Sequence, residues 1–326
     1  MKSRALSAVG IAILSVSICA SISIAAQIDA SLLNSIKYAR DQAMSVGTDI
    51  WPNYEIAPFG FLITLEDREI LFCHNSYVEG FKSLPVDRVT NCDLQERTNV
   101  LPKNLLAAMP AFDGVSTIVM GTPKSTGRTR AEWIRAIFHE HFHQYQSKFN
   151  NYYGRLNDLG LSNGDTTGMW MLNYQFPYKK EIFVANLDDA SHALHSAIMS
   201  KPPLLQQQVS HYLQARQKLE MSVSANDWKY FELQLWTEGV ARWTDIEISE
   251  RTSDREIVES GKLLREQTIS ALLTLDPAQS GRGIAYTYGV AEAILLERCK
   301  PNWRREYPDT MDLGSMIKKI NLSNCH

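Results

Sequence analysis

The chain has 326 residues, 44% of them hydrophobic, and a formal net charge of −3. That length and apolar content are ample for a sizeable core, in one large domain or two lobes. No basic block is present, so nothing in the charge pattern suits a nucleic-acid partner.

At the N-terminus, Lys2 and Arg4 precede an apolar, small-residue-rich run from Ala5 to Ala20. Ser23-Ile24-Ala25 or Ile24-Ala25-Ala26 offers a small-residue cleavage site. The expectation is a signal peptide over 1–26, a mature chain beginning at Gln27, and export to a periplasm or outside the cell. An uncleaved anchor is the alternative, but five serines between Ser7 and Ser23 dilute the hydrophobicity. No later run could span a bilayer, so no stable membrane insertion is expected after cleavage. Cys73, Cys92, Cys299 and Cys325 then remain. In an exported chain they suggest two disulfides. Of the three connectivities, Cys73–Cys92 and Cys299–Cys325 close the shortest loops.

Residues 31–46 read as an amphipathic helix, followed by the turn-rich Trp51-Pro52-Asn53-Tyr54. Gly60 to Thr64 and Glu69 to Cys73 read as a hairpin around Glu66-Asp67-Arg68. Val115 to Met120 is a strong β run. Beyond it the chain turns helical, over Lys180 to Met199, Leu204 to Met221, Asp227 to Ile248, Arg255 to Leu275, and Gly289 to Cys299. Together these predict an α+β fold, a single domain over 27–326. An α/β lobe (27–123) leads into a mainly helical lobe (124–326), with a cleft between them.

The chemistry concentrates in Ile137-Phe138-His139-Glu140-His141-Phe142-His143. Read as His-Glu-x-x-His, it puts His139 and His143 on one helical face, able to grip one ion. Glu140 sits about 100° around the helix, placed to act on a metal-bound water rather than to ligate. Thr129-Arg130-Ala131-Glu132 reads as the capping box that starts this helix. Ile134, Ile137, Phe138, His141, Phe142 and Tyr145 form an apolar stripe. His141 lies within it and reads as a buried, hydrogen-bonded core histidine.

A catalytic zinc site needs a third protein ligand. Glu238 is the candidate, in Trp236-Thr237-Glu238-Gly239-Val240-Ala241-Arg242. The plain alternative is an exposed i,i+4 ion pair with Arg242. Against it stand the large apolar neighbours Trp236, Val240 and Trp243. Gly239 also counts against it, because a glycine inside a helix usually marks a close approach.

His139-Glu140-x-x-His143 followed by Trp236-x-Glu238-Gly239-x-Ala241 resembles the gluzincins, zinc metallopeptidases whose third ligand is a glutamate on a second helix. The resemblance implies a zincin-like fold, one zinc ion on His139, His143 and Glu238, and Glu140 as general base. It implies a peptide or protein substrate. The chain departs from the family pattern in three ways. Trp236 stands two residues before the glutamate, inserted helices lengthen the stretch from His143 to Glu238, and Arg242 occupies the place of an acidic residue. Asp245, on the same face, could orient a histidine instead. In the resembled family a strand like Val115–Met120 edges the cleft; the alternative is an ordinary core strand.

Tyr286, before Gly289, could donate to an oxyanion near the metal, or could simply pack. His192 and His195 are spaced i,i+3, and His211 lies on the next helix. A second metal site is conceivable there, although surface histidines are commoner. The function expected is an exported zinc metallopeptidase. A non-catalytic exported protein with a structural metal clip is the alternative, and a hydrolase of a non-peptide amide or ester is a third possibility.

Overall fold

The computed structural model describes residues 28–326. The expected signal peptide over 1–26 and the start at Gln27 lie outside the described residues. The architecture is α+β, with a six-stranded mixed sheet on the N-terminal side and helices after it.

Helix α1 (Ala30–Ile50) starts where the Asp29 side chain accepts the Ser31 N–H, and it runs four residues past the predicted end. Burial explains the extension: Gly47 and Ile50 are in the core, and the Tyr54 ring lies over Gly47. The sheet follows, with β1 (Phe61–Thr64), β2 (Arg68–Phe72), β3 (Lys82–Leu84), β4 (Leu94–Thr98), β5 (Leu106–Phe112) and β6 (Val115–Gly121). The predicted hairpin is β1–β2, with Phe61 opposite Phe72 and Thr64 opposite Glu69. The strand order is β3-β4-β2-β1-β6-β5, and β1 and β6 run parallel.

That order bears on the two readings of the Val115–Met120 run. It is an interior strand of the sheet, as the core-strand alternative has it, because β6 pairs with β1 on one side and β5 on the other. The edge strand on that side is β5. It carries Pro110, which cannot donate to a neighbour and suits an edge.

Side chains alternate across the sheet. Phe61, Ile63, Ile70, Phe72, Ile118 and Met120 face the main core with the helices. Leu62, Leu71 and Val119 face a second, smaller cluster with Val78, Phe81 and Phe112.

The helices continue as α2 (Arg130–Gln146), α3 (Tyr152–Asp158), α4 (Trp170–Asn173), α5 (Glu181–Met199), α6 (Leu205–Met221) and α7 (Ala225–Gln234). After a π turn over Leu235–Gly239 come α8 (Val240–Arg251), α9 (Arg255–Ala271), α10 (Pro277–Ser280), α11 (Ile284–Cys299), α12 (Trp303–Glu306) and α13 (Gly314–Ile317). The predicted continuous helix over 227–248 is therefore two helices joined by a π turn. The helix predicted near Gly289–Cys299 begins at Ile284, so Tyr286 sits inside its first turn.

Trp51, Trp243, Trp303 and Tyr307 pack together where α1, α8 and the C-terminal segment meet, and Trp51 Nε1 donates to Thr244 Oγ1 at 3.0 Å. Both expected disulfides are formed, Cys73–Cys92 and Cys299–Cys325, which points to an oxidising compartment. No described helix is long and apolar enough to cross a membrane.

Candidate metal centre

Helix α2 begins as the sequence predicts. Thr129 and Glu132 form a capping box, with Thr129 Oγ1 accepting from the Glu132 N–H and the Glu132 carboxylate accepting from the Thr129 N–H. The helix differs from the two-faced picture in being buried nearly all round. The sheet covers its apolar stripe, while α8 and α9 close over the other side. His139 and Glu140 are each only 5% exposed. The chemical face therefore lines an enclosed cleft rather than open surface.

His141 points the other way. It is fully buried, with Nδ1 3.1 Å from the Tyr54 hydroxyl. Burial pushes its imidazole down to about 3, so it is neutral at ordinary pH. The expectation of a core histidine holds.

The second arm of the site is the π turn. Its i→i+5 bonding accommodates one extra residue, a local irregularity that is frequent at functional sites. Gly239 ends the turn against α11. A Cβ on Gly239 would lie 2.5 Å from Gly289 Cα and 2.8 Å from the Ala285 carbonyl oxygen. No side chain fits there, so the two backbones touch. This contact sets Glu238 and Tyr286 beside the same cleft.

Among the described residues, one group of His, Cys, Asp or Glu side chains could hold a metal ion: His139, His143 and Glu238. His139 Nε2 lies 3.1 Å from His143 Nε2 and 3.3 Å from Glu238 Oε2, and His143 Nε2 lies 3.6 Å from that same oxygen. Tetrahedral zinc with bonds of roughly 2.0–2.2 Å spaces its ligand atoms roughly 3.3–3.6 Å apart. The triangle fits. The three groups also bear on one another electrostatically. Burial alone would lower the His143 imidazole, but Glu238 and Glu140 outweigh it and raise it to about 9. Burial likewise opposes ionisation of Glu238, but His143 and His139 hold its carboxyl well below the usual range.

Supporting contacts fix the His143 ring and the Glu238 carboxylate. His143 Nδ1 is 2.7 Å from Gln146 Oε1, which leaves Nε2 turned to the site. Gln146 is itself held, donating to the Tyr307 hydroxyl at 2.6 Å. Asp245 Oδ2 faces His139 Nδ1 at 3.5 Å, beyond hydrogen-bond length, and accepts from Arg242 at 2.9 Å. Arg242 thus pairs with Asp245, not with Glu238 as the ion-pair alternative required. The cation on Glu238 is Arg282, whose Nη1 donates to Oε1 at 2.8 Å and leaves Oε2 for the histidines. Sequence reading missed Gln146 and Arg282. Gln146 stands three residues after His143, a spacing that could have flagged it. Arg282 lies in a Gly-Arg-Gly loop whose folding back could not be foreseen.

Tyr286 is half-buried, its ring centroid 5.7 Å from that of His139. Burial, reinforced by the Glu238 charge, pushes its phenol well up, so it stays a donor. Tyr288 faces elsewhere, fully buried with its hydroxyl 3.3 Å from that of Tyr212. His192, His195 and His211 do not join any metal-binding group among the described residues, and His192 Nδ1 lies 3.0 Å from the Asp188 carbonyl oxygen.

No protein-family model, curated protein or solved structure matches this chain.

Proposed function

We propose that this chain is an exported zinc-dependent metallopeptidase of zincin-like fold. The observation that carries the reading is the 3.1–3.6 Å triangle of His139, His143 and Glu238, with Glu140 next to His139 on the same buried helix. Three protein ligands leave a fourth position for water or substrate, whereas a structural site is closed by four. That argues against the non-catalytic alternative. So does Glu140, a buried carboxylate outside the ligand triangle for which a structural clip has no use.

A zinc ion there would polarise the substrate carbonyl and lower the pKa of water. Glu140 takes the proton from the attacking water and delivers it to the leaving amine. The Tyr286 hydroxyl donates to the oxyanion as charge develops on it. Arg282 and Gln146 act by position, one holding Glu238 and the other holding His143.

Elemental analysis of protein purified without chelators should show about one zinc per chain. A mixed peptide pool, read by mass spectrometry, should be cleaved by the native enzyme and left intact by Glu140→Gln, which keeps its metal. Metal-free protein with full activity, or a Glu140→Gln variant as active as native, would refute the mechanism.

A further inference from the structure

The cleft continues past His139 toward the start of α2 as a cavity of about 130 Å³. Its walls include Arg128, Arg135, Arg242, Glu132, His139 and Leu106. Three guanidinium groups face two nearby carboxylates, and one oxygen of each carboxylate is engaged. Glu132 Oε2 accepts from the Thr129 N–H at 2.8 Å and lies 3.0 Å from its hydroxyl. Asp245 Oδ2 accepts from Arg242. That leaves Arg135. It is 8% exposed, and its Nε and Nη1 donate to nothing. The nearest carboxylate oxygen, Asp245 Oδ1, is 4.0 Å away, too far for a hydrogen bond. A buried guanidinium with idle donors is costly unless something anionic arrives to meet it.

We propose that this cavity is a subsite for a carboxylate of the substrate, seated on Arg135 with Arg128 at the mouth and Arg242 alongside. The inference rests on the metallopeptidase reading for its substrate class. Arg135 stands four residues before His139, just over one helical turn or about 6 Å along α2. Successive Cα atoms of a bound peptide are about 3.8 Å apart. A residue adjoining the scissile bond therefore reaches the arginine. The cavity is polar and roomy enough to admit a small group. A carboxylate on a short stem fits. The carboxylate can be a free C-terminus or an Asp or Glu side chain, and both present the same group to the guanidinium.

Three probes separate these sources in the zinc-loaded enzyme: an acetylated alanine tetrapeptide with a free C-terminus, its C-terminal amide, and the amide carrying one glutamate. One carboxylate-bearing probe should exceed the neutral amide in kcat/KM by about 10- to 100-fold, the scale of a charge-assisted hydrogen bond. Which probe gains identifies the source. Arg135→Met should collapse that ratio toward one. Arg128→Glu, at an exposed position where folding is not at stake, should lower it as well. A ratio near one in the native enzyme, or an unchanged ratio in both variants, overturns the subsite. Should no peptide be cleaved, calorimetry with N-acetylglycine and N-acetylglycinamide decides separately. Binding of the acid alone, lost in Arg135→Met, upholds the subsite while the peptidase reading falls. Equal binding of both, or of neither, overturns it.

Discussion

Gly239 and Gly289 meet backbone to backbone: a Cβ on Gly289 would sit 2.6 Å from Gly239 Cα. The contact joins the π turn bearing Glu238 to the helix bearing Tyr286. Gly239→Ala should force them apart and cost about 1–3 kcal/mol, the usual scale of overpacking. Denaturant titration measures that cost. Zinc content should fall too, because Glu238 moves with the turn. A variant with native stability and full zinc would show that the contact is slack.

Glu238→Gln should weaken zinc binding by more than about 100-fold, beyond the usual cost of losing an outer-shell partner. In the metal-free protein His143 is raised to about 9, so it carries a proton at pH 7.5. Zinc must displace it, and uptake at that pH should release about one proton per chain. Titration in two buffers of different ionisation enthalpy reads the number. Native-like affinity in Glu238→Gln would remove it from the ligand set.

Tyr286→Phe should lower turnover about 10²-fold while leaving zinc in place, the loss expected for one oxyanion donor. Tyr288→Phe is the comparison, because its hydroxyl meets Tyr212 away from the cleft. It should alter stability rather than turnover. Equal small effects would make both tyrosines packing residues.

A buried cluster outside the cleft predicts a pH dependence of stability. Arg216 bonds both Glu232 and Glu292 at 2.6 Å, so one cation serves two carboxylates. Burial, opposed by Arg216 and helped by Glu292, pushes Glu232 up to about 7. A carboxyl raised on folding binds its proton more tightly when native. Its contribution is whole below the unfolded value near 4.5 and is lost as pH rises through about 7. The denaturation midpoint should therefore fall between pH 5 and 8, and Glu232→Gln should flatten that slope. An identical slope in the variant would place the linkage elsewhere.

Much of the metal triangle was legible because His139 and His143 obey a rigid four-residue spacing, and because Thr129 and Glu132 mark where their helix starts. The hairpin was legible for the same reason, since its alternation and turn are local. Glu238 could be proposed from its neighbours, but the π turn that aims it leaves no periodic trace. The place of β6 inside the sheet depends on pairing with β1, far back in the chain, and a β run reads alike at an edge or in the middle. Gln146, Arg282 and Arg135 were passed over because a polar side chain gains its meaning from what the fold brings opposite it.

The π turn also ties the packing of two buried helices to the metal site. It is one residue too many for a regular spiral, so removing a single residue between Leu235 and Gly239 would let α7 and α8 fuse into one uninterrupted rod. The fused helix would lose a local defect while turning one flank by about 100° relative to the other. Such a protein would turn the buried side chains of α7 or α8 out of the core as well as losing the metal site. The chain carries its irregularity at the one point where straightening it would swing Glu238 away from the histidines.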